Sequence, residues 1–187
     1  MQEIFESYRR TLAEALGAVD VARIDGLADA LEEARASRRQ VFLCGNGGSA
    51  ANAVHWANDL IYGANARGRG GLRASALPAN ASVLTCLAND VAYAEVFACQ
   101  LRVLGERGDV LIVLSGSGNS PNILRALEEA RTLGISSWAI LGFDGGKARA
   151  LADHTIHFPV PDMQVAEDCQ MALAHAVSRK LAGVPQP

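Results

Sequence analysis

Residues 110–124 read VLIVLSGSGNSPNIL, and this stretch decides the fold. Val110 to Leu114 is uniformly aliphatic and rich in β-branching, as in a strand buried on both faces. A loop of Ser, Gly and Asn follows, and from Asn122 to Leu133 the apolar residues take helical spacing. Residues 41–56, VFLCGNGGSAANAVHW, repeat this order. There the strand is Gln40 to Cys44, the loop is again Gly, Ser and Asn, and a helix runs from Ala50 to Leu60. Strand, tight loop and helix in that order is the unit of a parallel sheet, because a parallel partner strand can be reached only by a crossover.

The surrounding chain extends the alternation. Leu72 to Leu77, Ser137 to Leu141 and Thr155 to Val160 read as further strands, with a short helix at Lys147 to Leu151. Tyr93 to Leu104 and Val165 to Ala182 read as helices, and Ser82 to Leu87 fits either state. Before residue 37 the texture differs: Ile4, Phe5, Tyr8, Leu12, Leu16 and Val19, then Ile24, Leu27, Leu31 and Ala34, recur at three- to four-residue spacing. Residues 1–36 are therefore expected to be helical throughout, and residues 37–187 to form an α/β core. The expected fold is a doubly wound, mainly five-stranded parallel sheet flanked by helices, with N-terminal helices, in one domain spanning 1–187.

Composition narrows the classes of function. Lys and Arg number 17 against 20 Asp and Glu, a net charge of −3, with no basic block of the kind that grips nucleic acid. No apolar run approaches the roughly 20 residues that cross a bilayer, and MQEIFESYRR has no signal-peptide core. Cys44, Cys86, Cys99 and Cys169 show no CxxC spacing, as expected of reduced, largely core thiols. The chain reads as cytoplasmic, without a nucleic-acid or membrane partner.

The two loops carry the functional signal. Glycine lets backbone N–H groups approach a ligand, serine adds hydroxyl donors, and the following helix aims its positive end at the same point. Such a loop suits a phosphate dianion, and in open α/β sheets ligands bind beyond the carboxyl ends of the strands. Neither loop has the GK[ST] of a P-loop, nor GxGxxG followed by an acid at the right distance, so a nucleotide is not indicated. One such loop is often an ordinary strand-to-helix turn; two in one short chain argue for a ligand.

CGNGGSA and SGSGNSPN together resemble the sugar-isomerase (SIS) domain family, whose fold is flavodoxin-like. More narrowly they resemble the phosphoheptose isomerases, with support from His55, CLANDVAY (Cys86 to Tyr93), GERGDVLIVLS (Gly105 to Ser115) and AILGFDGGKA (Ala139 to Ala148). The resemblance implies that Ser115, Gly116, Ser117 and Ser120 hold a sugar phosphate. It implies that Asn46, Gly47, Gly48 and Ser49 line the sugar, and that Asn89 and Asp90 contact it. It further implies zinc, or another divalent metal, held by His55, Asp59, Glu167 and His175, and a homotetramer packed through the N-terminal helices.

His55 and Asp59 are four apart, so they share one helix face and can converge on one ion. Glu167 and His175 are eight apart, about 12 Å along a straight helix. They share an ion only if Glu167 reaches back from the helix entry or a neighbouring subunit contributes. Three departures from the family pattern stand out: Asp59 replaces a glutamate, Glu167 replaces a glutamine, and IYGANARGRG (Ile61 to Gly70) lacks a customary basic residue.

The implied reaction is the interconversion of sedoheptulose 7-phosphate and D-glycero-D-manno-heptose 7-phosphate. It moves a proton between C1 and C2 through an enediol, with Asp59, Glu167 and His175 as the catalytic candidates. The rivals are a non-catalytic SIS protein, such as a replication-initiator-associating factor, a sugar-phosphate-sensing domain, and an isomerase for another sugar phosphate. His55, an acid at 59 and His175 together favour the enzyme.

Overall fold

The computed structural model describes residues 1–184, so the last three residues of the 1–187 span lie outside the described residues. Five strands, β1 (Gln40–Cys44), β2 (Arg73–Ala76), β3 (Val110–Ser115), β4 (Ser136–Leu141) and β5 (His154–His157), form one sheet in the order β2-β1-β3-β4-β5. Every neighbouring pair is parallel. Among the described residues the α-helices are α1 (Gln2–Gly17), α2 (Val21–Ala36), α3 (Gly48–Ile61), α4 (Ala81–Asp90), α5 (Ala98–Leu104), α6 (Pro121–Leu133), α7 (Ala148–Leu151) and α8 (Met163–Leu181).

The two-residue period of the strands sorts their side chains between two cores. Val41, Leu43, Val110, Ile112, Leu114, Trp138 and Ile140 face the layer built from α1, α2, α3 and α8. Phe42, Cys44, Leu111, Val113, Ala139 and Leu141 face the layer built from α5, α6 and α7, with α4 packed against it through Leu84 and Leu87. Both faces are covered, which is why the strands read as continuous apolar runs rather than as alternation. The doubly wound, five-stranded parallel expectation holds.

Several boundaries differ for local reasons. The N-terminal stretch is broken: α1 ends at Gly17, and Asp20 takes extended backbone and caps α2 by accepting from the Ala22 N–H. The strand expected over Thr155 to Val160 is His154–His157, since Pro159 has no N–H for a ladder. The strand expected over Leu72 to Leu77 contracts to Arg73–Ala76. Ser82 to Leu87 resolves as part of α4, capped by Asn80 through the Val83 N–H. Tyr93 to Leu104 splits into a 3-10 turn at Tyr93–Glu95 and α5. Cys44 and Cys169 are buried, and burial pushes the Cys169 thiol up to about 11, whereas Cys86 is exposed. No helix among the described residues is long and apolar enough to cross a membrane.

Candidate active site

In this strand order the chain switches direction between β1 and β3, which are neighbours. Their following loops therefore splay to opposite faces and leave a crevice between them. The loop after β1 (Gly45 to Gly47) needs its glycines. A Cβ on Gly45 would stand 2.6 Å from the Ser49 carbonyl oxygen, and Gly47 has φ +55° and ψ −123°, a conformation essentially restricted to glycine. The chain then enters α3 at Gly48.

The loop after β3 is tied by its own polar groups. Ser115 Oγ accepts from the Gly118 N–H at 3.0 Å, and Ser117 Oγ accepts from the Asn119 N–H at 3.3 Å. Asn119 Oδ1 accepts from the Lys147 N–H, and the Gly118 carbonyl from the Ala148 N–H, which fixes the loop to the turn after β4. Gly116 passes so close to Met163 that a Cβ there would collide with the thioether. Ser120 stands at the N-cap of α6 with its hydroxyl unused by the cap. Ser115, Ser117 and Ser120 thus stand at one strand-to-helix junction, and the hydroxyl protons of Ser115 and Ser117 remain available, since both oxygens act here as acceptors.

Helices α3 and α8 lie side by side and run the same way, giving a polar seam that starts at the first loop. At its head, the Glu167 carboxylate covers Gly48, where a Cβ would clash with it. One turn further, Asn52 Nδ2 donates to the Glu167 carbonyl and to Gln170 Oε1, both at 3.0 Å. Next along the seam, His55, Asp59 and His175 converge, with their ligand atoms all within 4.8 Å of one another. His175 Nε2 lies 3.3 Å from His55 Nε2, and Asp59 Oδ2 lies 3.7 and 3.6 Å from the two imidazoles. The rings meet edge to face at 65°. Asp59 is the sheltered member at 20% side-chain exposure, while His55 and His175 are about half exposed, at 53% and 51%.

This triangle fits a metal. Two ligand atoms about 2.0–2.2 Å from one zinc at tetrahedral angles stand about 3.3–3.6 Å apart, and the three separations here nearly match that edge. Two imidazoles and a carboxylate are also a donor set that zinc and similar divalent ions accept.

Glu167 is not part of the triangle. Eight residues on one straight helix separate it from His175, and its carboxylate stays at the head of the seam. It makes no side-chain hydrogen bond or ion pair among the described residues, and its position beside the N-terminal end of α3 is favourable for a negative charge. Asn89 and Asp90 lie exposed at the end of α4; Asn89 Nδ2 donates to Asp90 Oδ1 at 2.6 Å, and that bond, with one from Cys86, holds the Asp90 carboxyl below its usual range.

Asn46 is tied to two other segments of the protein. Its amide makes a reciprocal pair with Asn122, each Nδ2 donating to the other's Oδ1 at 2.8 Å, and Oδ1 also accepts from the Tyr93 hydroxyl at 3.0 Å. Its side chain is committed mainly to protein. Sequence reasoning missed Asn122, Asn52 and Gln170; the polar residues at 52 and 170 interrupt apolar helix faces, and that was the available signal.

A doubly wound domain with Gly/Ser loops on either side of its switch point is the architecture of the SIS class, and the SIS domain family model matches residues 5–142. The phosphoheptose isomerase of Chlorobaculum parvum is 40% identical over 172 residues, covering 91% of this chain and 82% of that protein. That of Helicobacter pylori strain Shi470 is 41% identical over 145 residues, covering 78% and 75%. The structure of the Neisseria gonorrhoeae phosphoheptose isomerase superposes with a TM-score of 0.89 at 31% identity, covering 98% of this chain and 97% of that one. The chain belongs to the phosphoheptose isomerase family of SIS-domain proteins.

Proposed function

We propose that this protein interconverts sedoheptulose 7-phosphate and D-glycero-D-manno-heptose 7-phosphate in the cytoplasm. The observation that carries the reading is the His55, Asp59 and His175 triangle on the seam that begins at the Gly-rich loop. The loop after β3 would receive the phosphate: the backbone N–H groups not already given to Ser115 and Ser117, with the hydroxyls of Ser115, Ser117 and Ser120, would supply donors, and Gly116 would contribute its backbone. Gly47, Gly48, Asn89 and Asp90 would line the sugar, whereas the Ser49 side chain is buried in the first turn of α3 and would not face it. That remote grip contributes binding energy away from the reacting carbons and orients them.

His55, Asp59 and His175 would hold one divalent ion, most naturally zinc. When bound, such an ion supplies Lewis-acid polarisation of the sugar's carbonyl and hydroxyl oxygens. Asp59 faces both imidazoles and would be committed to holding them and the ion. With its Nε2 given to the same ion, His175 would be a poor proton carrier. The carboxylate left free to take a proton from C1 or C2 would be Glu167, half-buried and without a hydrogen-bond or ion-pair partner among the described residues. Its acid, where the resemblance implies an amide, would serve as the base at the head of the seam.

Residues 1–36 would form the contact of a homotetramer, since Ile4 and Phe5 of α1 are 69% and 65% exposed. Incubation with a panel of ketose phosphates, followed by NMR of the products, tests the activity. An aldose phosphate from the seven-carbon substrate is expected, and no turnover of any ketose phosphate would overturn the reading.

A further inference from the structure

Asn46, Asn122 and Tyr93 come from three separate segments: the loop after β1, the second residue of α6 after the β3 loop, and the 3-10 turn that follows α4. Asn122 is 1% exposed, and its amide is aimed into the crevice between the two loops, at Asn46. An amide pair with both complementary bonds made and one member buried is a stiff link, because Asn122 without Asn46 would be left desolvated and unpaired. It spans the point where the sheet's topology would otherwise let the loops diverge.

The third arm reaches outward. Helix α4 has no fully buried residue and packs through the half-buried Leu84, Leu87 and Ala88, and the 3-10 turn is held at its far end by Glu95 pairing with Arg102 and Arg125, so the Tyr93 hydroxyl is the tie that joins this segment to the crevice. Tyr93, three residues beyond Asp90, is 58% exposed, yet its hydroxyl donates to the same Asn46 oxygen that receives Asn122.

We infer that Asn122 and Tyr93 are positioning residues that act through Asn46, setting the gap between the two loops and holding the Asn89–Asp90 segment over it. This rests on the sugar-phosphate reading above. It predicts a division of labour: the phosphate end is gripped by the β3 loop itself, whereas the sugar end depends on the three-way junction.

Tyr93→Phe removes only the outer hydrogen bond and leaves the packing intact. It is expected to raise KM for the ketose phosphate two- to fivefold, with kcat nearly unchanged and the affinity for inorganic phosphate, read by calorimetry, unaltered. Amide exchange across residues 81–96 should rise with it. Asn122→Ala cuts the inner link, so adding Tyr93→Phe to it should change KM and exchange by much less than it does alone. Unchanged KM and exchange in Tyr93→Phe, a parallel loss of inorganic phosphate binding, or additive effects in the double variant would overturn the inference. Exchange needs no turnover, so a chain that isomerises nothing fails the reading above while exchange still tests the junction.

Discussion

The loops after β1 and β3 share a grammar of strand, Gly/Ser/Asn loop and helix, yet their surroundings differ in sign. The β3 loop is rich in hydroxyls and tied into its own turns, and the nearest acid on its rim, Asp144, turns Oδ1 to the Gly146 N–H. The β1 loop opens onto α3, and the first thing at the head of that helix is the Glu167 carboxylate, followed along the seam by the two imidazoles and Asp59. Both helix starts favour an anion, but at α3 the protein supplies its own. Two similar loops therefore divide into one suited to an external dianion and one suited to acid–base and metal chemistry. A motif of this kind states that a ligand can approach; the neighbouring helix decides which ligand.

The largest expected effect lies on the chemical side. His55→Ala removes one of the three converging side chains that could hold a metal, so bound divalent metal should be lost and activity should fall by about 100-fold or more. Metal analysis beside turnover measures both. Full activity in a metal-free His55→Ala protein would remove the distinction between the loops.

Glu167→Gln sharpens the comparison, because it neutralises the head of the seam without touching the triangle. Turnover is expected to fall by about 100-fold while metal content stays at that of the parent. A loss of metal in this variant would instead join Glu167 to the ligand set, by way of a neighbouring subunit.

On the other side, Ser117→Ala deletes one hydroxyl from the β3 loop and should weaken sugar-phosphate binding by about 1–3 kcal/mol. Calorimetry reads this directly, and metal content should not move. Equal weakening in Ser49→Ala, in the first turn of α3 beyond the β1 loop, would break the assignment of the phosphate.

The smallest functional effect is expected from Gly47→Ala, which acts through backbone strain. At φ +55° and ψ −123° a Cβ is strained even though nothing stands within 4 Å of it, so a stability loss of about 1–3 kcal/mol is expected in chemical denaturation. Gly17→Ala, equally unobstructed and without a positive φ, should cost nothing and serves as the control.

The sequence alone determined the parallel sheet, because Val110 to Leu114 and Gln40 to Cys44 are apolar on both faces and each is followed by a loop and a helix. It also determined that His55 and Asp59 share a face, since four residues on a helix fix their relation locally. It misjudged the ends of elements where one residue outweighed periodicity, as Asp20 did in breaking the N-terminal helix and Pro159 in ending β5. What only the tertiary structure decided was every relation between segments. His175 meets the α3 pair because α3 and α8 run parallel, and Glu167 misses it because those same helices hold it two turns away. Asn46 meets Asn122, 76 residues on, because β1 and β3 are neighbours in the sheet. Spacing along a chain is local, whereas the separation of two helices is set by the packing of everything between them.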